Sequence, residues 1–203
     1  MPQFRRLTLC SVLVVLSGLP VVAQHARRAP GLYATLTTSR GTIIAQLFPK
    51  DAPKTVQNFV GLVRGTRPFR DIATGMIATR PFYDGLLFFR TISGFIIQTG
   101  DPSNRGTADV GFVLDNESNN LRFDRAGRLS MAQVSGDPKS RAVQFFITLR
   151  PAPELDRQHF IVFGQVVQGL EVARAIASGP HKKDGETPLR PAVLKKVVIE
   201  EVH

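Results

Sequence analysis

Arg90 is the residue in this sequence whose surroundings first raise a chemical question. It lies in an apolar run, residues 88–98, with Phe88 and Phe89 before it and Ile92 after it. A guanidinium group cannot remain among such side chains without a polar partner, a charged partner or access to solvent. Taken alone, the run favours an arginine at a strand edge whose head reaches water. A chemical role for Arg90 therefore depends on the residues that accompany it.

Several other kinds of reactive site are disfavoured. Cys10 is the only cysteine, and it lies in an amino-terminal segment that we expect to be removed, so a thiol nucleophile and a thiolate metal site are excluded. Ser130 and Ser135 lack the Gly-x-Ser-x-Gly pattern of a hydrolase nucleophile. The four histidines are too widely spaced to indicate a zinc site. We expect no metal and no cofactor.

The elements that must position Arg90 are mostly short strands. Residues 32–37 and 42–48 are rich in β-forming residues and flank the turn residues 39–41, which predicts a hairpin. Further short apolar or alternating runs, separated by turn residues, predict strands at 86–90, 94–99, 110–114, 128–132, 144–148, 160–167 and 193–202.

Two amphipathic helices are predicted between these strands. The first has Asp51 as its cap, Pro53 in its first turn and Gly65 at its end, with apolar residues at helical spacing between them. The second has Leu170, Ala173, Ile176 and Ala177 on one face and ends at residues 179–180. Residues 64–85 predict an irregular insertion or a small hairpin. About eight strands with two helices indicate a mainly β fold, a closed antiparallel barrel.

Residues 1–23 have the layout of a signal peptide. Arg5 and Arg6 precede an apolar run at residues 7–19 that closes on Val21, Val22 and Ala23. An uncleaved anchor is the alternative, but the run is shorter than the roughly 20 residues that span a membrane. We expect cleavage after Ala23 or Ala26, export to the periplasm or the medium, and no membrane span in the mature protein. Residues 24–31 would then form a short amino-terminal segment.

The remaining composition predicts one domain with a basic surface. The chain has 203 residues, of which 43% are hydrophobic and 21% charged, and no linker divides it, so residues 32–203 are predicted to fold together. The formal net charge is +10, but the basic residues are scattered and form no run of five or six. A solvated basic surface is therefore favoured over nucleic-acid binding.

A series of motifs resembles the cyclophilins, a family of peptidyl-prolyl cis/trans isomerases. The stretch 40–59 resembles the first hairpin and helix of that family. Further matches follow in the family's order, at residues 82–85, 90–101, 129–132, 144–148, Leu155-Asp156 with His159, and 162–164. The resemblance covers about residues 32–202, and several ordered motifs over that length are more specific than any one of them.

The resemblance implies an eight-stranded barrel capped by two helices, with the active site in a groove outside the barrel. Arg90 matches the catalytic arginine, and Gln98 is placed to orient Arg90 or the substrate. The other matched positions are expected to bind substrate: Phe95, Ile96, Phe146 and Leu155 around the proline ring, and Ala132, Gln133, Gln144 and His159 along the peptide backbone. Taken singly, these apolar residues would serve equally well in a core, and only their joint spacing favours a groove.

The implied function is acceleration of X-Pro bond rotation in unfolded or extended client proteins, which would assist their folding. The alternative is a non-catalytic chaperone or a proline-peptide-binding module on the same barrel. We expect proline-containing polypeptides as partners, no nucleic acid, and a monomer. Weak binding of cyclosporin is also expected, because Glu154 stands where many family members have a tryptophan that contacts the drug.

Overall fold

The computed structural model describes residues 28–203 except 116, 118, 134–139 and 159, and of residues 140 and 141 it describes only the backbone. The predicted signal peptide and His159 therefore lie outside the described residues. The helices are α1 (Pro53–Arg64), α2 (Leu170–Ala177) and a short 3-10 helix (Pro153–Gln158). The strands are β1 (Gly31–Thr38), β2 (Gly41–Leu47), β3 (Phe69–Arg70), β4 (Ile77–Ala78), β5 (Leu86–Leu87), β6 (Arg90–Ile92), β7 (Ile96–Thr99), β8 (Arg128–Gln133), β9 (Ser140–Thr148), β10 (Val162–Gln168) and β11 (Val193–Val202).

One antiparallel sheet contains all of these strands except β3 and β4. Its order is β5-β11-β1-β2-β10-β8-β9-β7-β6. The two edge strands, β5 and β6, belong to a single stretch of chain, residues 86–92, so the sheet curls until one stretch forms both of its edges. This arrangement leaves little exposed sheet edge, which is the advantage of a barrel.

The predicted architecture is confirmed as mainly β, with a curled antiparallel sheet and two α helices. The sheet has nine hydrogen-bonded strands, and the predicted eight are obtained when β5 and β6 are counted as one bent strand. The ladder is interrupted at Phe88 and Phe89, where the chain crosses from one edge to the other. Phe88 N–H still donates to the carbonyl of Ala192, at 2.9 Å.

Helix α1 follows the predicted boundaries, but its predicted cap is wrong. Ala52, not Asp51, occupies the capping position, and it makes no side-chain capping bond. A residue from a distant part of the sequence caps the first turn instead. The Glu117 carboxylate accepts hydrogen bonds from the backbone N–H groups of Lys54 and Thr55 at 2.8 and 2.6 Å. A carboxylate at this end of a helix also complements the helix dipole.

The strand predicted at residues 110–114 is also wrong. Gly111 has φ 85°, which an extended strand does not allow, and its N–H bonds to the carboxylate of Asp109 at 2.8 Å. The segment is a loop in which Phe112 lies under the Arg67 guanidinium, 4.3 Å from ring centroid to Cζ. The small hairpin predicted within residues 64–85 is present as β3 and β4.

The two faces of the sheet bury two separate hydrophobic clusters. The inner core fills the barrel and includes a group of aromatic rings, Phe59, Tyr83, Phe145 and Phe163, with centroids 5.2 to 6.4 Å apart. The outer cluster lies on the opposite face, and its buried members are Ile96, Phe123, Ala132, Phe146, Ala152, Leu155 and Val162. Alternation along β9 accounts for the division, since successive side chains of a strand point to opposite faces.

None of the helices in the described part of the chain combines the length and the apolar character that a membrane crossing requires.

Candidate active site

A row of side chains crosses four adjacent strands on the outer face of the sheet. Arg90 in β6 pairs with Gln98 in β7, Gln98 with Phe146 in β9, and Phe146 with Ser130 in β8. Side chains at directly paired positions lie on the same face of a sheet and about 5 Å apart at Cβ. The strand register alone therefore brings a cation, an amide and an aromatic ring side by side.

This row forms part of a groove of about 470 Å³, a volume typical of small-ligand sites. The groove is lined by apolar side chains on one side and polar ones on the other: Phe89, Arg90, Phe95, Ile96, Gln98, Arg105, Gly106, Ala132, Gln133, Gln144, Phe146, Glu154, Leu155, Gln158 and Phe160.

A series of hydrogen bonds runs along the polar side, and we call its members the Arg90 network: Arg90, Gln98, Gln144 and Asp101. Arg90 Nη1 donates to Gln98 Oε1 at 3.2 Å, and Gln98 Nε2 donates to Gln144 Oε1 at 3.1 Å. Gln144 Nε2 then donates to Asp101 Oδ2, also at 3.1 Å. Gln98, Gln144 and Asp101 are all buried.

The two ends of the Arg90 network determine how its amides are oriented. A guanidinium only donates hydrogen bonds and an ionised carboxylate only accepts them, so both glutamines must point their oxygens toward Arg90 and their nitrogens toward Asp101. Asp101 is held in turn by the backbone N–H of Ser103, at 2.6 Å from its Oδ1. Gln98, Gln144 and Asp101 hydrogen-bond to one another, which holds them in one arrangement, and Arg90 still lines the groove.

Gly100 allows the Asp101 end of the network to reach β9. Its φ is 93°, and a Cβ atom there would lie 2.2 Å from the carbonyl oxygen of Val143 and 2.9 Å from Cα of Gln144. Only a glycine permits this close approach. The approach places the Asp101 carboxylate beside the Gln144 amide.

Arg90 has a second partner outside the sheet. Its Nε donates to Glu186 Oε2 at 2.6 Å, and the side chains of this pair are 37% and 44% exposed. Glu186 belongs to the loop between α2 and β11. The guanidinium is thus held through two of its nitrogens while it remains accessible from the groove.

The apolar side of the groove is built from the outer cluster. Phe95, Ile96, Phe146 and Leu155 form what we call the apolar wall. Phe146 is fixed between two other rings, stacked on Phe123 at 6.0 Å and edge-on to Phe160 at 5.3 Å. A rigid apolar surface beside a fixed cation suits a ligand that has an apolar ring next to a hydrogen-bond acceptor.

Comparison with protein families gives this site its context. Residues 33–203 match the family described as cyclophilin type peptidyl-prolyl cis-trans isomerase/CLD. The chain belongs to this family. Membership makes it a peptidyl-prolyl cis-trans isomerase, as the resemblance predicts.

Individual relatives agree with this assignment. The chain is 42% identical to peptidyl-prolyl cis-trans isomerase B of Streptomyces anulatus, over 85% of this chain and 98% of that protein. It is 39% identical to peptidyl-prolyl cis-trans isomerase A of Mycobacterium tuberculosis, over 82% of this chain and 91% of that one. A cyclophilin type isomerase of Cryptosporidium parvum, crystallised in the presence of the dipeptide Ala-Pro, superposes with a TM-score of 0.69 at 31% identity, covering 83% of this chain and 99% of that chain.

Nearly all the residues that the cyclophilin resemblance singles out come together in the groove. Arg90, Gln98 and Gln144 lie in its polar side, and Phe95, Ile96, Phe146 and Leu155 form its apolar wall. Ala132 and Gln133 line the groove at the end of β8. The predicted role of His159 lies outside the described residues.

Sequence reasoning missed two residues that complete the polar side. Asp101 is the last residue of the run 90–101. Its position directly after Gly100 is the only local sign in the sequence that it has a role. Glu186 is 96 residues from Arg90 and lies in a loop that contains no recognisable motif, so no pattern in the sequence indicates it.

Glu154 departs from the family pattern and has a partner of its own. Its carboxylate accepts a hydrogen bond from Arg150, and that bond lowers the pKa of Glu154. The Arg150 guanidinium in turn lies over the ring of Phe95, 4.9 Å from its centroid. An ion pair between Arg150 and Glu154 therefore borders the groove, and its arginine also covers one member of the apolar wall.

Proposed function

We propose that this isomerase accelerates rotation about X-Pro bonds through Arg90, with the apolar wall binding the proline ring. The observation that carries the proposal is the fixed guanidinium at the edge of an apolar groove, held by the Arg90 network on one side and Glu186 on the other. The rest of the catalytic and binding assignments follow from positions in the same groove.

The reaction explains why such a simple site is sufficient. Rotation about an X-Pro bond has a barrier of about 18 to 20 kcal/mol, because amide resonance is lost at mid-rotation. No covalent bond is made or broken, so the catalyst requires neither a nucleophile nor a cofactor. It has to bind the twisted amide more tightly than either planar isomer.

Arg90 is suited to this task. Its guanidinium is permanently charged, and one that donates to the proline carbonyl and favours a pyramidal ring nitrogen stabilises the twisted state. Gln98 holds Arg90 in place through its Oε1 atom. Gln144, which bonds to both Gln98 and Asp101, supports this arrangement in addition to its predicted contact with the peptide backbone.

The apolar wall supplies the binding half of the mechanism. Phe146 and Leu155 are fixed by their burial in the outer cluster, and Phe95 closes the wall toward Arg150. Ala132 and Gln133 border the groove where the rest of an extended peptide would run, and a contact of His159 with the peptide backbone is part of the proposal. Proline-containing polypeptides are the proposed partners, and the use of the dipeptide Ala-Pro with the Cryptosporidium parvum isomerase supports that class of ligand.

The proposal extends to the cellular setting of the protein. Residues 1–23 are proposed to direct export, and the mature protein is proposed to act as a monomer that assists folding outside the cytoplasm. Mass analysis of the purified protein's amino terminus would test cleavage after Ala23 or Ala26. Weak cyclosporin binding is proposed because the Glu154–Arg150 pair places charges where the drug meets an aromatic ring in other family members.

Turnover on a proline peptide, followed by a protease that cleaves only the trans isomer, tests the proposed mechanism. Arg90→Ala is expected to lower kcat/KM by about 100-fold or more, as removal of a transition-state donor does in other enzymes. Arg40→Ala, which removes an exposed arginine from the turn between β1 and β2, is the matched control and should retain full activity. Near-normal turnover by Arg90→Ala would contradict the mechanism. A wild-type protein that prevents client aggregation without any turnover would favour the chaperone alternative.

A further inference from the structure

The loop between α2 and β11 folds back on itself to form a compact unit, which we call the Glu186 loop (residues 180–189). Leu189 N–H bonds to the Pro180 carbonyl and Lys182 N–H to the Thr187 carbonyl, both at 2.8 Å. His181 and Pro188 form a bridge between these two pairs. The loop is therefore a closed hairpin with its own internal hydrogen bonds.

Asp184 stiffens the tip of the Glu186 loop. Its Oδ1 accepts the backbone N–H groups of Glu186 and Thr187, at 2.9 and 2.8 Å, and its Oδ2 accepts the Thr187 hydroxyl at 2.6 Å. The hydrogen bonds from Thr187 lower the pKa of Asp184 to about 2. Three bonds to one carboxylate fix the backbone on both sides of the Glu186 Cα atom.

Thr91 attaches this loop to the sheet. Its N–H donates to the backbone carbonyl of Glu186 at 2.8 Å, and its hydroxyl bonds to His181 Nε2 at 2.7 Å. Thr91 is fully buried and directly follows Arg90 in β6. The backbone of Glu186 is thus anchored one residue away from the arginine that its side chain contacts.

The contact between the two side chains controls the direction of the guanidinium. Glu186 holds Arg90 Nε and Gln98 holds Nη1, while Nη2 makes no hydrogen bond to any residue within the described ranges. An arginine that is 37% exposed and lacked the Glu186 contact would be restrained only at Nη1, and its guanidinium could rotate away from the groove.

We infer that Glu186 is a positioning residue for the reaction. It orients Arg90 before substrate binds, and the hydrogen bonds within the Glu186 loop hold the Glu186 carboxylate in place. The inference rests on the proposed role of Arg90. It adds that the efficiency of this isomerase depends on a loop that is separate from the apolar wall and from the strands that form the groove.

A kinetic comparison of four variants at Glu186 and Arg90 tests the inference on the full chain. Glu186→Ala is expected to lower kcat about tenfold, because a displaced catalytic group reduces the rate, while KM for the proline peptide stays within about twofold because the apolar wall is intact. Glu186→Gln retains an acceptor oxygen without the charge and should lie between Glu186→Ala and the wild type. Glu186→Ala combined with Arg90→Ala should be no slower than Arg90→Ala alone, since a positioning residue has nothing left to position.

One control variant and one spectroscopic measurement separate positioning from a general effect. Glu201→Gln neutralises an exposed glutamate on β11 and should leave both kcat and KM unchanged. The Arg90 Nε–H resonance in a ¹⁵N spectrum, assigned by its loss in Arg90→Lys, should be protected from solvent exchange in the wild type and exchange rapidly in Glu186→Ala.

The outcomes of these measurements are distinct. Loss of kcat in Glu186→Ala with an exposed Arg90 Nε–H supports the inference. Wild-type kcat in both Glu186 variants overturns it, provided that Arg90→Ala is inactive. An active Arg90→Ala overturns the proposed function itself. If Glu186→Ala unfolds at a lower temperature than Glu201→Gln, Glu186→Gln decides the matter, and wild-type kcat together with a rapidly exchanging Nε–H in that variant also overturns the inference.

Discussion

Phe145 and Phe146 are neighbours in β9, yet Phe145 belongs to the inner core and Phe146 to the outer cluster beside the groove. Phe145 points into the barrel, where it contacts the rings of Phe59 and Tyr83 with both centroids 5.5 Å away. Phe146 points outward, where two rings hold it at the floor of an open groove. Both are almost fully buried, so burial alone does not distinguish a residue of the closed core from one that lines the groove.

The polar groups near the two faces differ more than the rings do. Beside the outer cluster, the buried amides and the carboxylate of the Arg90 network all have partners. In the inner core, the Tyr83 hydroxyl has none among the described residues, and burial raises the pKa of Tyr83. The hydrogen bonds of the outer face therefore fix one arginine, while the inner core depends on apolar packing.

The largest expected effect on stability comes from the inner face. Phe145→Ala should reduce the free energy of unfolding by about 3–5 kcal/mol, because it leaves a cavity in a closed core of aromatic rings. Denaturant unfolding measures this directly. The fraction that remains folded should isomerise proline peptides at a normal kcat, since no Phe145 atom lines the groove.

Phe146→Ala should give the reverse pattern. Its kcat/KM should fall by about 10- to 100-fold, because the floor of the proposed proline site is lost. The same substitution should destabilise the fold less than Phe145→Ala does, since the space that it leaves opens to the groove and to water. Equal effects of both substitutions on stability and on turnover would remove the distinction between the two faces.

A smaller effect is expected from Tyr83→Phe. Removing a buried hydroxyl that has no partner among the described residues should leave the free energy of unfolding unchanged or raise it by up to about 1 kcal/mol. A loss of stability in thermal and denaturant unfolding would mean that the hydroxyl has a hydrogen-bond partner, such as a buried water, and that the inner core is less apolar than we describe.

The smallest expected effect is a dependence of the unfolding free energy on pH through Asp184. Because the pKa of Asp184 falls from 3.8 to about 2 on folding, its stabilising contribution is complete above pH 3.8 and is lost as the pH falls toward 2. The difference in unfolding free energy between wild type and Asp184→Asn should therefore be larger at pH 5 than below pH 2, where the carboxylate is protonated in both the folded and the unfolded state. A difference that does not vary with pH would show that the carboxylate charge does not hold the Glu186 loop.

The sequence predicts a strand at residues 144–148, and consecutive residues of a strand point to opposite faces, so Phe145 and Phe146 lie on different sides, but the strand pattern does not say which of them faces a groove. The family resemblance then separates groove from core, which periodicity cannot do for Phe95 or Leu155. The features that the sequence does not predict depend on contacts between distant segments of the chain. The contacts of Glu117 with the start of α1 and of Glu186 with Arg90 both join segments that are distant in sequence. The strand predicted at residues 110–114 is wrong because Gly111 has a positive φ, which the apolar residues around it do not indicate.

Exchange spectroscopy on one proline peptide with wild type and Arg90→Ala separates the catalytic role of Arg90 from peptide binding, because it measures binding and isomerisation in the same sample. Arg90→Ala is expected to bind the peptide within a few-fold of the wild-type Kd through its intact apolar wall, while the catalysed cis/trans exchange rate falls by about 100-fold or more. Catalysed exchange at the wild-type rate in Arg90→Ala, or a loss of peptide binding that accounts for the whole decrease, would contradict the catalytic role of Arg90.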